Sequence, residues 1–598
     1  MMSRTVLTVA GLLLVMGSPA AAQFPSSLDL QTVREIPIQH DGRWPPLDTV
    51  ARDLVETVTG EAYYQGHDPV LTLLSWTFDP RGWMDRPLIT IANAEARAQL
   101  DLPASKTTFS YNELITDHRL HELADALSRV QGRKLDPLES KVSSIEDKLI
   151  VLQRVFAGQV IRAIPNAESL GGAWRPLTVA TGEESPEVGR ALAAWMELRS
   201  AFLADDAERF ATASKQLKLS LEALPAAHRP SPKLIATELR YNRQRPFDKA
   251  WMLMVLGAIL AAVAVPLRRR WFDALSVLVL IAGFGVLTYG LWLRWSIAGR
   301  IPAANMFESL LFLSWGMGAF AILSMLVMHD RIVPLTASVM GALALILADC
   351  LPLDSYIRPI APVLLDTVWM SIHVPIIMCS YSVLALAMLI AHVQLVAMAV
   401  APRRRELART VDALHYWYVH VGVILLLVGI ITGSMWAASS WGRYWGWDPK
   451  EVWSLVAFLG YLAILHVRVN RERVSGWMYV VAGLMVVGLF ALVAPKLAPL
   501  NATRLLALGG AAAAIVIFVL ARGPFATAFK SVLAFWLIIM TYVGVNFVLG
   551  IGLHSYGFGT GAVVRYMFLV GGLDLALIVL CAVVYLLRRQ PDSSPVIG

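Results

Sequence analysis

Cysteine is nearly absent: three residues in 598, Cys350, Cys379 and Cys581. None belongs to a Cys-x-x-Cys pair and none has a neighbour at metal-ligand spacing. The chain is therefore neither a thiol oxidoreductase nor itself a c-type cytochrome. Charge is scarce as well, at 16% Asp, Glu, Lys and Arg, where ordinary soluble domains carry roughly a quarter. With 57% hydrophobic residues, this composition marks a polytopic membrane protein that also has a soluble part. The net charge of +7 does not point to nucleic acid. The basic residues lie largely in short loops between apolar runs, where they speak of topology.

Arg4, the apolar run Val6–Met16 and the small residues Ser18-Pro19-Ala20-Ala21-Ala22 make residues 1–22 a signal-peptide pattern, with a cut near Ala22. An uncleaved anchor is the alternative. Either way residues 23–248 are expected to be an exported soluble domain. Ser140–Ile164 and Glu187–Leu224 carry apolar residues at helical spacing, so the domain is expected to be helix-rich. Its opening, IPIQHDGRWPPLDTVARDL, predicts an extended start, an Asp-Gly turn, a Pro-Pro break and a helix. His40 and His67 read as lone histidines with surface roles, and no ligand cluster is legible around them.

From residue 249 to 598 apolar runs of spanning length recur. The spans are expected near 251–266, 272–294, 306–328, 332–350, 373–400, 415–437, 452–469, 476–494, 503–521, 531–550 and 566–587, about eleven in all. The fold class is thus an all-α polytopic membrane protein with a helix-rich exported domain. Arg268-Arg269-Arg270, Arg331, Arg403-Arg404-Arg405, Arg468 to Arg473, Arg522 with Lys530, and Arg588-Arg589 follow alternate spans. Placing those loops inside satisfies the positive-inside rule throughout and puts the soluble domain outside.

The same topology places WAASSWGRYWGWDPKEVWS, Trp436–Ser454, outside. Its five tryptophans are Trp436, Trp441, Trp445, Trp447 and Trp453. Trp, Gly and Ser interrupt the apolar run, so the first half reads as loop. Asp448, Pro449 and Glu451 suit the N-cap, N1 and N3 of the next helix, and Trp447 could staple against Val452. Tryptophans gather at bilayer interfaces whatever the function, but five ordered by Gly442 and Gly446 suit a large flat apolar ligand. His373 and His554 fall at the same face. Neutral imidazole is a good axial ligand for haem iron, and two can take both sites. Simple interfacial hydrogen bonding is the bland reading of either one. Glu308 beside Arg300 reads as a solvated ion pair; alternatively Arg300, Arg443 or Lys450 receives carboxylates.

The segment WGRYWGWDPKEVWSL resembles the WWD signature of the haem-handling membrane proteins of cytochrome c maturation. WMSIHVPIIMCSYS and GLHSYGFG resemble that family's first and second external histidine regions, and GRIPAANMFESL a further family segment. Together, from about Trp271 onward, they are similar to the system II cytochrome c synthase membrane subunit. The resemblance implies haem b as substrate and bound ligand, held by Trp436, Trp441, Trp445, Trp447, Trp453 and Asp448. It implies His373 and His554 as axial and catalytic residues, and His466 as a ligand receiving haem within the membrane. Apocytochrome c with its CxxCH motif, a thiol reductant protein, a partner synthase subunit and membrane lipid are the implied partners. A multi-pass place in the bacterial inner membrane, with the site on the periplasmic side, follows. A haem delivery or export protein without ligation activity is the alternative. The chain departs from the family in two ways. A second transmembrane histidine is missing before the soluble domain, leaving His392, His415 and His420 as substitutes unless another subunit supplies it. An extra apolar pair, Trp477–Leu520, also separates His466 from His554.

Overall fold

The computed structural model describes residues 24–25, 28–91, 93–129, 137–169, 171–178, 185–328, 330–351, 353–360, 368–401, 405–469, 523–549 and 561–588. The expected signal segment, the spans near 476–494 and 503–521, and His554 lie outside the described residues. The chain divides into two compact units, one up to Arg243 and one from Gln244 on.

The first unit is built from the helices α1 (Leu47–Thr59), α2 (Pro69–Phe78), α3 (Pro137–Phe156), α4 (Pro186–Leu203), α5 (Ala207–Ala223) and α6 (Pro232–Gln244), with several shorter ones. Two small antiparallel pairs accompany them, β1 (Pro87–Thr90) with β2 (Thr108–Ser110), and β3 (Arg162–Ile164) with β4 (Arg175–Pro176). The opening segment folds as its residues dictate. Asp41 and Gly42 both take positive φ, 46° and 73°, as a tight hairpin turn requires. His40 pairs with Arg43, Pro37 pairs with Pro46, and α1 starts at Leu47. The expected helix across Ser140–Ile164 stops at Phe156, and Arg162–Ile164 is strand. Gly158, at φ 68° against the Thr178 side chain, turns the chain there. Glu187–Leu224 is two helices rather than one, because Asp206 caps α5 through the Arg209 N–H.

The apolar faces of these elements share one core that includes Trp76, Trp83, Phe109, Trp195 and Phe210. Its rim carries a buried carboxylate, Asp48, which accepts from Arg34 (2.5 Å), Arg52 (2.8 Å) and Asn242 (3.0 Å). Burial alone would raise the Asp48 carboxyl, but Arg52, Arg34 and Asn242 outweigh it and hold it below the ordinary carboxylate range. A depressed carboxylate stabilises the fold fully above its unfolded pKa of about 4, and that stability is lost as pH falls through the lower folded value.

In the second unit eight described helices are long and apolar enough to cross a membrane. The protein is an all-α polytopic membrane protein. Its helices are α7 (Pro246–Leu267), α8 (Arg270–Ala298), α9 (Met306–Met328), α10 (Ile332–Cys350), α11 (Val368–Val400), α12 (Arg405–Trp441), α13 (Pro449–Val469), α14 (Pro524–Ile539), which continues as a π-helix over Met540–Leu549, and α15 (Gly561–Arg588). The helix α13, expected as a span, is not among those eight; it begins with Lys450 and Glu451 inside its first turn. Two expected boundaries move. Helix α11 begins at Val368, so His373 lies inside its second turn rather than at its start. Helix α12 runs on to Trp441, so Trp436 and Trp441 are helical rather than loop. Ala, Ser and Trp tolerate helix well enough. The helix ends only at Gly442, whose φ of 70° provides a left-handed stop and whose N–H reaches the Ala438 carbonyl.

Among the described helices of the unit, the most extensive contact lies between α11 and α12. A Cβ at Gly422, Gly429 or Gly433 would meet Leu384, Ile377 or His373 at 2.5, 2.6 and 2.8 Å respectively. Lipid offers helices no hydrophobic drive to associate, so small residues that admit close backbone approach supply the packing.

Asp48→Asn removes the carboxylate and leaves Arg34 and Arg52 facing a neutral amide. We expect a loss of about 3 kcal/mol at neutral pH, in line with breaking a buried ion pair, and a flatter acid limb. Hydrogen exchange of the Leu47–Thr59 peptides in the intact protein, followed from neutral to acid pH, measures both.

Candidate functional site

Helices α11 and α12 bring His373 to Trp436. The His373 Nδ1 donates to the Gly429 carbonyl at 2.9 Å, and its ring lies 5.8 Å from that of Trp436, tilted by 30°. Both details have local causes. Gly433 leaves the space into which the imidazole fits, and Gly429, four residues earlier on α12, leaves the space that Ile377 fills. Helical carbonyls are already engaged, but each oxygen has a second lone pair. The hydrogen bond fixes the tautomer with its lone pair on Nε2, the nitrogen a metal would use. Met370 and Trp436 form a small buried cluster here, with Ile360, Trp369 and Val374 packed on it.

The connection from α12 to α13 is held by the expected capping residues. Asp448 Oδ1 accepts from the Lys450 N–H at 3.0 Å, and Glu451 Oε2 accepts from the N–H groups of Asp448 (3.2 Å) and Gly446 (2.8 Å). The carboxylates shape the loop by accepting its amide donors. Trp447 does not staple onto the helix. It is 72% exposed, sits at φ 56°, and its ring meets Trp445 edge-on at 6.0 Å. A bulky residue in the left-handed region costs energy that the capping hydrogen bonds must hold in place.

Trp436 and Trp441 stand on the end of α12, Trp445 and Trp447 in the loop, and Trp453 at the start of the second turn of α13. The Trp441 indole N–H is buried with no acceptor among the described residues. A buried donor without a partner is costly, and a bound group with carboxylate or carbonyl oxygens would satisfy it. The donor set therefore fits a flat apolar ligand with an iron centre and acidic edges. The structure joins His373 with Trp436 and Trp445 with Trp447; His554 lies outside the described residues.

His466 lies elsewhere. It is exposed near the far end of α13, its Nδ1 donating to the Leu462 carbonyl, about 26 Å along the helix from Pro449 at 1.5 Å per residue. Of the three inward histidines, His392 has both nitrogens engaged, by the Met388 carbonyl and by Asp574 at 2.6 Å, and Trp536 bonds the other Asp574 oxygen. His420 donates to Tyr416. His415 is fully buried, and neither of its nitrogens has a partner among the described residues. Glu308 is not solvated, contrary to expectation. It is buried and held by Arg294 as well as Arg300. In the other unit His40 is not solitary: it bonds Asp53 at 2.9 Å and lies near Asp41. His67 stacks on Phe24.

Two groups were missed in the sequence. Gly429 and Gly433 form a Gly-x-x-x-Gly spacing, a known sign of close helix approach. Arg294 lies in an apolar span, where a charge is itself a sign of function or pairing.

The arrangement defines a class: a polytopic membrane protein in which α11 and α12 bring a histidine against a tryptophan, with further tryptophans along the connection from α12 to α13. Comparison with known proteins sharpens this. Residues 303–494 match the family described as cytochrome C assembly protein. A cytochrome c biogenesis protein CcsA of Synechococcus sp. (strain CC9605) is 30% identical over 348 residues, covering 52% of this chain and 98% of that protein. The CcsA of Parasynechococcus marenigrum is 29% identical over 52% of this chain and 95% of its own length. Protein NrfI of Wolinella succinogenes is 26% identical over 87% of this chain, which spans about half of NrfI, 53%. A solved structure titled Cytochrome c Heme Lyase CcmF aligns at a TM-score of 0.32 and 17% identity, over 59% of this chain and 62% of that one. The chain belongs to the cytochrome c assembly family, among the membrane proteins of cytochrome c biogenesis.

Gly433→Ala puts a methyl group 2.8 Å from the His373 ring. Overpacking of this kind costs about 1–3 kcal/mol, and here it displaces the imidazole. We expect the variant to lose the His373–Gly429 hydrogen bond, read as a changed imidazole nitrogen resonance. Gly285→Ala on α8, where a Cβ meets nothing within 4 Å, is the control and should leave that resonance unchanged.

Proposed function

We propose that this protein is a holocytochrome c synthase subunit that binds haem b at the outer membrane face and promotes its attachment to apocytochrome c. The observation that carries the reading is His373, whose tautomer the Gly429 carbonyl fixes and whose ring stands against Trp436 beside the tryptophan loop. Family membership supports it, as do the relatives named for cytochrome c biogenesis. His373 and His554 are the axial ligands. Trp436, Trp441, Trp445, Trp447 and Trp453 cradle the ring, and Asp448 caps α13 so that the loop keeps its shape.

In the reaction each cysteine thiol of CxxCH adds across one haem vinyl group. A C–S bond forms, the thiol proton ends on vinyl carbon, and nothing leaves. The protein's share is orientation and protection, which bring the two thiols to the vinyl edges. The substrate's own histidine then replaces one protein ligand on iron. A thiol reductant keeps the CxxCH cysteines reduced. The second histidine of the internal site at His466 comes either from a partner subunit or from this chain, where His415, buried and with no partner among the described residues, is better suited than His392, which is committed to Asp574.

The protein sits in the bacterial inner membrane, with the tryptophan loop and the expected exported domain, residues 23–248, on the periplasmic side. The loop arginines and the signal-peptide pattern support that orientation. Reporter fusions after Tyr444 and Arg404 should read as exported and cytoplasmic respectively; the reverse pattern would remove the external site.

Purified protein with haem, reductant and a CxxCH apocytochrome should yield covalent product. Bound haem without product would indicate delivery or export instead. His373→Ala and His554→Ala should each lose the low-spin bis-histidine spectrum and ligation, and added imidazole should recover part of the spectrum. His67→Ala, in the other unit, should change neither. Wild-type spectrum and activity in both axial variants would refute the assignment.

A further inference from the structure

Residues 299–310, GRIPAANMFESL, run from the end of α8 into the first turns of α9 and, with Arg294 of α8, carry a buried ionic cluster. Arg294 and Glu308 are both completely buried, Nε to Oε1 at 2.8 Å. Arg300 reaches Oε2 at 2.9 Å, and the Ala304 N–H donates to the same oxygen at 2.7 Å. Neutralising one carboxylate needs one cation, so the second guanidinium asks for a further reason.

The reason is visible in what the two guanidiniums hold besides Glu308. Arg294 donates to the carbonyls of Ser355 (2.8 Å) and Tyr356 (3.1 Å). Arg300 donates to the carbonyl of Arg358 (3.0 Å). Asn305, whose Oδ1 accepts from the Glu308 N–H, also donates to the carbonyl of Asp354 (3.0 Å). Side chains from one hairpin thus hold the carbonyls of residues 354, 355, 356 and 358. Arg forks suit this because their donors are planar and fixed relative to one another. Two residues beyond Arg358, Ile360 packs on the Met370–Trp436 cluster beside His373.

We propose that Glu308 is a positioning residue for the haem site: it orients Arg294 and Arg300, these hold residues 353–360, and Ile360 sets the Met370–Trp436 face against which His373 stands. The inference rests on the proposed function for the meaning of the site, though the chain of contacts does not depend on it. Glu308 touches no substrate. Its effect reaches the iron through the placement of Trp436 and His373, as the partners around a metal ligand commonly act.

The experiment uses the full-length protein in detergent, with two readouts: the spin state of bound haem, and hydrogen exchange of the peptide 368–376 without haem. Glu308→Gln loses the charge that orients both guanidiniums. Ile360→Ala leaves the ionic cluster intact and removes only the last contact. Both should speed exchange at 368–376 and convert the low-spin spectrum toward high spin, and imidazole should restore it because the ligand is displaced rather than lost. The double variant should be no worse than the worse single one, since both act along one path. If Glu308→Gln does not fold, Ile360→Ala decides alone. A wild-type spectrum in the folded variants overturns the proposal even if exchange changes. Should the wild-type protein bind no haem, the proposed function falls, and exchange alone then judges the positioning: unchanged exchange overturns it, and faster exchange in both variants supports it.

Discussion

The close approach of α11 and α12 is the constraint on which the rest of the second unit depends. Gly422, Gly429 and Gly433 let the two backbones come near enough for side chains of α11 to reach carbonyls of α12. Ser380 donates to Gly422 at 2.8 Å and His373 to Gly429 at 2.9 Å. In an apolar bundle such bonds have no water to compete with, and each one also fixes the register of the pair. Register in turn decides which residues share a level. The same glycines that admit the helix place the His373 ring against Trp436, on the last turns of α12 before the tryptophan loop.

Polar groups inside the bundle follow one rule: each is expensive unless paired. Glu308 meets two arginines, and Asp574 meets His392 and Trp536. The second group ties α11, α14 and α15 together. It also removes His392 from the set of available metal ligands, because both of its nitrogens already have partners. His415 is the exception among the inward histidines: it is buried with no partner among the described residues, and such an imidazole is the kind of site that a ligand can complete.

The tryptophan segment shows two kinds of order. Trp436 and Trp441 inherit positions from α12, so a rigid helix carries them. Trp445 and Trp447 depend on the cap of α13, where Glu451 gathers the N–H groups of Gly446 and Asp448. Trp447 is held in the left-handed region with its ring outward, a strained and exposed placement that packing alone does not explain. A broad apolar ligand laid on the loop would cover it.

The sequence by itself determined the class of the molecule. Long apolar runs specify spanning helices because lipid leaves the backbone no other partner than itself, and the described spans stand where those runs are. Asp448, Pro449 and Glu451 specified the start of α13, because capping is chemistry within a few residues of chain. Asp-Gly specified the turn before α1 for the same reason. Only the tertiary structure decided how far α12 extends, since nothing local forbids helix before Gly442. It alone decided that Gly429 accepts the His373 proton, that Arg294 joins Glu308 from the preceding helix, and that His392 is spent on Asp574. Those partners lie 56, 14 and 182 positions apart. Periodicity reports which face of a helix is apolar, not which neighbour it meets; that choice belongs to the packing of the whole bundle.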